Sequence, residues 1–170
     1  MVTIRFVSSE DIPHIQSIAY ETWMYTYEGI YSKDFIQHFL SRAYSNENLS
    51  RSVERDFQSD KRSFLIAEFN HEVVGYAQTS RVNDEEYELL RIYIRPEYHK
   101  MGIGKAFVDE YIQVLKPIKK LFAWVAKENH IGRTFYEKSG FRPIEEKNET
   151  VEGHSKTQIK YELKITNYQD

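Results

Sequence analysis

The sequence contains no cysteine. This excludes disulfide staples, thiolate metal sites and a covalent intermediate on a cysteine. Long apolar runs are also missing: no stretch reaches the ~20 residues that span a bilayer. The first residues, Met1-Val-Thr-Ile-Arg5, lack the basic-then-apolar order of a signal peptide. A cytoplasmic protein with no membrane partner is therefore expected. Nor is there an excess of one charge: 23 basic and 26 acidic residues give a net −3 and are dispersed along the chain, so nothing draws it to nucleic acid. The 6 histidines form no ligand-type pair, and no metal is expected. With only 4 prolines and 7 glycines, those that occur act as punctuation.

Against these absences, 41% apolar and 15% aromatic content over 170 residues is enough to bury a sizeable core. With no linker, repeat or low-complexity segment in sight, residues 1–170 are expected to form one domain. Thr3 to Val7 alternates as a strand, and Ser8 or Ser9 then caps a helix whose apolar face is Ile12, Ile15, Ile18, Ala19, Thr22 and Trp23. A second helix carries Phe35, Ile36, Phe39 and Leu40. A third, capped by Ser45, carries Leu49, Val53 and Phe57. The period then changes to two. Strands are predicted at Ser63 to Phe69, Glu72 to Val82 and Glu86 to Ile94, the first two joined by a tight Asn70-His71 turn. Later strands are predicted at Leu121 to Val125, Phe141 to Lys147 and Lys156 to Ile165, with Glu145 to Ser155 read as a polar hairpin loop. The fold class is mixed α/β.

Glu88-Leu-Leu-Arg-Ile-Tyr-Ile-Arg-Pro96 reads as a buried strand stopped by proline, and Ile103, Phe107, Val108, Tyr111, Ile112 and Leu115 read as a helix ending before Pro117. Between them, Tyr98-His-Lys-Met-Gly102-Ile-Gly104-Lys105 places two glycines at a helix N-terminus. There the first N–H groups lack helical partners and the dipole is positive, so main chain alone can bind an anion with several oxygens. A dinucleotide fingerprint would need glycine at Phe107, and a P-loop would need glycine at His99 and Ser or Thr at Ala106. A Gly-x-Gly pair that merely shapes a turn stays open at this point.

A second motif follows: Asn129-His-Ile-Gly-Arg-Thr-Phe-Tyr-Glu-Lys-Ser-Gly-Phe141. Asn129 is a good N-cap, Gly132, Arg133 and Tyr136 share one helical face, and Gly140 is placed to end the helix. A small residue at Gly132 would let something bulky pass close to the helix. Alone, this stretch reads first as a short amphipathic helix whose tyrosine caps the core.

Together the two motifs resemble the GNAT superfamily of N-acetyltransferases. His99-Lys-Met-Gly102-Ile-Gly104 is similar to its Gln/Arg-x-x-Gly-x-Gly/Ala acyl-CoA signature, with His99 departing at the first position. Asn129 to Phe141 is similar to its Asn-x-x-Ala-x-x-Phe-Tyr-x-x-x-Gly-Phe signature, with Gly132 in place of alanine. The order of elements along the whole chain also fits. Glu21-Thr-Trp, Phe69 to Tyr76 and Arg91-Ile-Tyr-Ile carry a finer resemblance to PaiA-type spermidine/spermine acetyltransferases.

The resemblance implies a central, mostly antiparallel sheet flanked by helices, acetyl-CoA as co-substrate and an amine as acceptor. It implies that Ile92, Tyr93 and Ile94 pair with the pantetheine arm, and that His99, Lys100, Met101, Gly102, Ile103, Gly104 and Lys105 hold the pyrophosphate. Asn129 and Arg133 join the cofactor set. Tyr136 matches the tyrosine that protonates the departing CoA thiolate, the alternative being a buried aromatic with a satisfied hydroxyl. Glu88 stands where some members hold a base, and partial burial would raise its pKa. In other members water or a backbone carbonyl serves.

For the acceptor, Glu21, Trp23, Tyr27, Glu28, Tyr31 and Asp34 supply aromatic faces and carboxylates suited to an amine or polycation. Glu85 and Glu86 could extend that surface, and an ordinary helix end with solvated acids is the competing reading. Two other functions stay open: acetylation of a protein N-terminus or lysine, and a CoA-binding sensor without turnover. Neither oligomeric state, monomer or homodimer, is favoured.

Overall fold

The structure is a computed structural model describing residues 1–151 and 153–165. Its fold is mixed α/β, with seven strands and five α-helices among the described residues. The chain divides into two compact units, one of Met1–Gln78 with Arg91–Leu115, the other of Thr79–Leu90 with the residues from Lys116 onward.

In the first unit β1 (Val2–Phe6) pairs antiparallel with β2 (Leu65–Phe69), and β2 with β3 (Glu72–Arg81). The β2–β3 turn takes positive φ at both Asn70 (50°) and His71 (69°), the geometry a two-residue hairpin requires. Three helices intervene: α1 (Ile12–Tyr27), α2 (Lys33–Ala43) and α3 (Asn46–Gln58). Ser32 and Ser45 accept hydrogen bonds from the amides of Phe35 and Asn48, both at 3.1 Å, so the serines before α2 and α3 are true N-caps. The helices bury Ile15, Ile18, Ala19, Ile36, Leu40, Leu49 and Val53. Each large aliphatic contributes about 1.5–3 kcal/mol on burial.

Phe57 does not complete the α3 face as the spacing suggested; it is 68% exposed. Asp56 turns inward instead, accepting the amides of Ser63 (2.7 Å) and Phe64 (2.9 Å) and the Arg62 guanidinium (3.0 Å). Those amides enter β2 and need acceptors, so a carboxylate outcompetes a phenyl ring for the position.

The outer part of β4 (Glu86–Ile94) and helix α4 (Ile103–Val114) complete this unit. Gly75 on β3 is one position the sequence did not single out: a Cβ there would lie 2.9 Å from the Tyr93 carbonyl oxygen and 3.1 Å from the Ile94 side chain.

In the second unit the first residues of β4 pair parallel with β5 (Lys120–Ala126), Glu88 opposite Phe122. β5 pairs antiparallel with β7 (His154–Lys164), and β7 with β6 (Arg142–Val151). Helix α5 (His130–Lys138) ends at Gly140, φ +91°, with the Phe141 amide returning to the Tyr136 carbonyl at 2.9 Å.

The segment expected to be a loop, Glu145 to Ser155, is mostly strand; Glu152 lies outside the described residues. Its polarity misled the reading. Opposed pairs such as Glu145 with Lys160 and Glu149 with Lys156 are cross-strand partners that stabilise a ribbon with little apolar content. No helix among the described residues is long and apolar enough to cross a membrane.

Candidate active site

The glycine turn lies in the first unit. After β4, a single 3-10 turn at Pro96–Tyr98 uses the amides of Tyr98 and His99, which bond to the carbonyls of Arg95 (2.9 Å) and Pro96 (3.1 Å). The His99 ring nitrogen Nε2 lies 2.8 Å from the Ile94 carbonyl oxygen, tying the turn to the end of the strand. Lys100 is left-handed at φ +64° and Gly102 at φ +81°; for Lys100 such geometry costs about 1–2 kcal/mol.

Gly102 is the N-cap of α4, and the first helical bond runs from the Ala106 amide to the Gly102 carbonyl. The amides of Ile103 and Gly104 thus have no partner within the helix. A Cβ on Gly102 would meet no protein atom within 4 Å, so open space faces the turn. Positive dipole, main-chain amides at a helix start and room for a ligand fit the diphosphate of an acyl-CoA. Met101 is exposed, and the Lys105 ammonium pairs with Asp109 at 2.7 Å. Just after β4, the Arg95 amide bonds to the Val74 carbonyl at 2.9 Å.

The predicted acceptor residues cluster in the same unit around an aromatic stack. Trp23 packs on Tyr27 (4.4 Å between centroids) and Phe39 (4.6 Å), Tyr27 on Tyr31 (5.7 Å), and Tyr31 on Phe35 (4.7 Å). The hydroxyls of Tyr27 and Tyr93 are 3.3 Å apart, and burial pushes the Tyr93 phenol well above its ordinary range. The Trp23 indole N–H is buried with no hydrogen-bond acceptor among the described residues. Glu21 forms an ion pair with Arg95 at 2.5 Å, which reduces its negative charge toward any ligand. Glu28 and Asp34 are exposed, at the end of α1 and in the first turn of α2.

The second unit holds the other motif. Asn129 Oδ1 accepts the Gly132 amide at 2.8 Å, as a cap should. The small residue at 132 makes room for the protein itself: a Cβ there would sit 2.8 Å from Asn129 Nδ2 and 3.1 Å from the Val125 side chain. Arg133 reaches the Lys127 carbonyl (3.0 Å) and the Tyr161 hydroxyl (3.2 Å). Tyr136 is 6% exposed, with its ring between Phe135, Phe141 and Tyr161.

Burial raises the Glu88 carboxyl above the usual glutamate range. Lys147 and Lys160 pull it back and Glu149 pushes it up. Glu85 pairs with Lys119 at 2.6 Å. Tyr161 was not singled out from sequence; the alternation Ile159, Tyr161, Leu163, all buried, is the signal that marks it.

Residues 30–141 match the acetyltransferase (GNAT) family. A spermidine N(1)-acetyltransferase of Thermoplasma acidophilum is 32% identical over 143 residues, covering 83% of this chain and 88% of that protein. The crystal structure of the PaiA N-acetyltransferase of Thermoplasma acidophilum in complex with coenzyme A superposes with a TM-score of 0.82 at 30% identity, over 96% of this chain and 99% of that one. The structure of yncA from Salmonella typhimurium, solved with acetyl-CoA, has the same fold (TM-score 0.71, 18% identity, 100% and 97% covered).

Proposed function

This chain belongs to the acetyltransferase (GNAT) family, and on that premise we propose that it transfers the acetyl group of acetyl-CoA to a primary amine of a polyamine such as spermidine or spermine. It does so as a single catalytic domain of the cytoplasm. The observation that carries the donor half is Gly102: a left-handed residue at a helix N-terminus, with open space where a side chain would stand. The amides of residues 103–105 hold the diphosphate, and Ile92, Tyr93 and Ile94 offer main chain to the pantetheine arm.

The thioester is already reactive, so the enzyme positions it and manages two protons. The amine must be neutral to attack. Glu88, its carboxyl raised by burial, is a better proton acceptor than an ordinary glutamate and is suited to take the amine's proton. As the C–N bond forms and the C–S bond breaks, Tyr136 gives its proton to the thiolate and CoA leaves as the thiol.

Support for a polyamine comes from the Thermoplasma relative and from the exposed Glu28 and Asp34 beside the Tyr27, Tyr31 and Phe35 rings. One nitrogen of a polyamine reacts while the remaining ammoniums pair with carboxylates and lie over rings. The decisive experiment compares kcat/KM for spermidine, a monoamine of similar bulk and a lysine-bearing peptide at low and moderate salt. Spermidine is expected to lead and to lose its advantage as salt rises. A peptide used as well or better, with no salt effect on spermidine, makes the protein-acetylation reading the correct one.

A further inference from the structure

We propose that Tyr161 is a positioning residue for Tyr136, its ring setting the direction of the Tyr136 hydroxyl and its own hydroxyl fixing that ring in place. This rests on the reading of Tyr136 as the acid that protonates the thiolate. The two rings are stacked, with centroids 5.7 Å apart and planes inclined by 24°. Phe135 and Phe141 close the edges of the Tyr136 ring at 5.2 Å each, so the Tyr161 ring is the stacked wall against which Tyr136 is aligned.

Tyr161 lies on the buried side of β7 and is 0% exposed. For packing, phenylalanine would serve there, and a phenol is costly in such a place unless its hydroxyl is bonded. It is bonded twice. The hydroxyl donates to Glu137 Oε2 at 2.8 Å and accepts from Arg133 Nε at 3.2 Å. A carboxylate and a guanidinium hold it with charge-assisted bonds.

Both charged partners belong to α5, three residues before and one after Tyr136. Arg133 also anchors the helix to the Lys127 carbonyl at 3.0 Å. The arrangement is a closed circuit: α5 carries Tyr136, Arg133 and Glu137 clamp Tyr161, and Tyr161 faces Tyr136 again. A proton donor misplaced by about 1 Å loses on the order of a hundredfold in rate, which gives such a clamp its value.

The test is a double-mutant cycle on the full chain, with acetyl-CoA and the best amine acceptor. Tyr161→Phe keeps the ring and removes the clamped hydroxyl. It is expected to lower kcat about tenfold with the KM for acetyl-CoA unchanged, and to have almost no further effect in a Tyr136→Phe background. Glu137→Gln, at an exposed position, is expected to give a smaller loss that also disappears without the Tyr136 hydroxyl. A normal kcat in Tyr161→Phe, or a loss that persists undiminished in the Tyr136→Phe background, overturns the proposal while leaving Tyr136 as the acid. Normal turnover in Tyr136→Phe alone overturns the acid assignment and this proposal with it.

Discussion

Gly102 separates what folding needs from what a ligand needs. Its φ of +81° makes Gly102→Ala strained by about 1–2 kcal/mol, yet the new methyl would touch no protein atom within 4 Å. A modest fall in Tm is therefore expected, together with a loss of CoA affinity of at least about tenfold, measured by calorimetry. Unchanged affinity in the folded variant removes the basis for the cradle. Gly75 behaves in the opposite way: a methyl there is forced against the Tyr93 carbonyl, and the cost of about 1–3 kcal/mol falls on stability.

For Glu88, burial raises the carboxyl pKa. An acid whose pKa rises on folding costs stability above that pKa and regains it as pH falls. Glu88→Gln should thus leave Tm at neutral pH unchanged or slightly higher, while flattening the acidic limb of the kcat/KM profile, because the base works only when deprotonated. The place of Gly102 at the start of a helix was legible from the apolar period that begins at Ile103. Gly75 and the Tyr161 clamp were not, since each depends on a neighbour distant in sequence, and the crowding at Gly132 depends on how the Asn129 cap folds back over the helix start.

The clearest local device at the scale of single elements joins β1 to α1. Asp11 accepts both arms of the Arg5 guanidinium (2.8 and 2.9 Å) and the Ser8 amide (2.8 Å). Burial alone would raise its carboxyl pKa, but Arg5 and the Ser8 amide outweigh it and the result lies below the usual aspartate range. A depressed carboxyl contributes stability above its unfolded pKa and loses it as pH falls through the lower folded value. Asp11→Asn is therefore expected to cost about 1.5–3 kcal/mol at pH 7, with the gap to wild type closing in acid, read from urea midpoints across pH. A pH-independent gap contradicts this.

Elements with a strong apolar period were legible in the sequence: α1, α2, α4, and β2 to β4 within one or two residues at most boundaries. The β6–β7 ribbon was underestimated because cross-strand charge pairs leave no apolar alternation to read. Asp56 was missed because helix period cannot foresee a carboxylate recruited by strand amides.

Taken as a whole, the chain interleaves its two compact units, passing between them at 78/79, 90/91 and 115/116. Neither unit is a continuous fragment. A chain cut after Leu115 keeps residues 79–90 but loses β5, the strand that pairs with Glu86 to Glu88 beside buried Tyr87 and Leu89. Fragment 1–115 is expected to lack a cooperative unfolding transition and to bind a hydrophobic dye. A sharp two-state melt by circular dichroism would show instead that the first unit folds by itself.

The same interleaving orders events on the ribosome. The residues of the first unit have all been synthesised once Leu115 has emerged, at a stage when residues 79–90 still await a partner strand. Translation continues from Lys116 at about 5–20 residues per second, so the exposed strand edge lasts about a second before β5 follows. That brief interval is when a nascent chain of this architecture is open to capture by another chain, and when a chaperone would have most to protect.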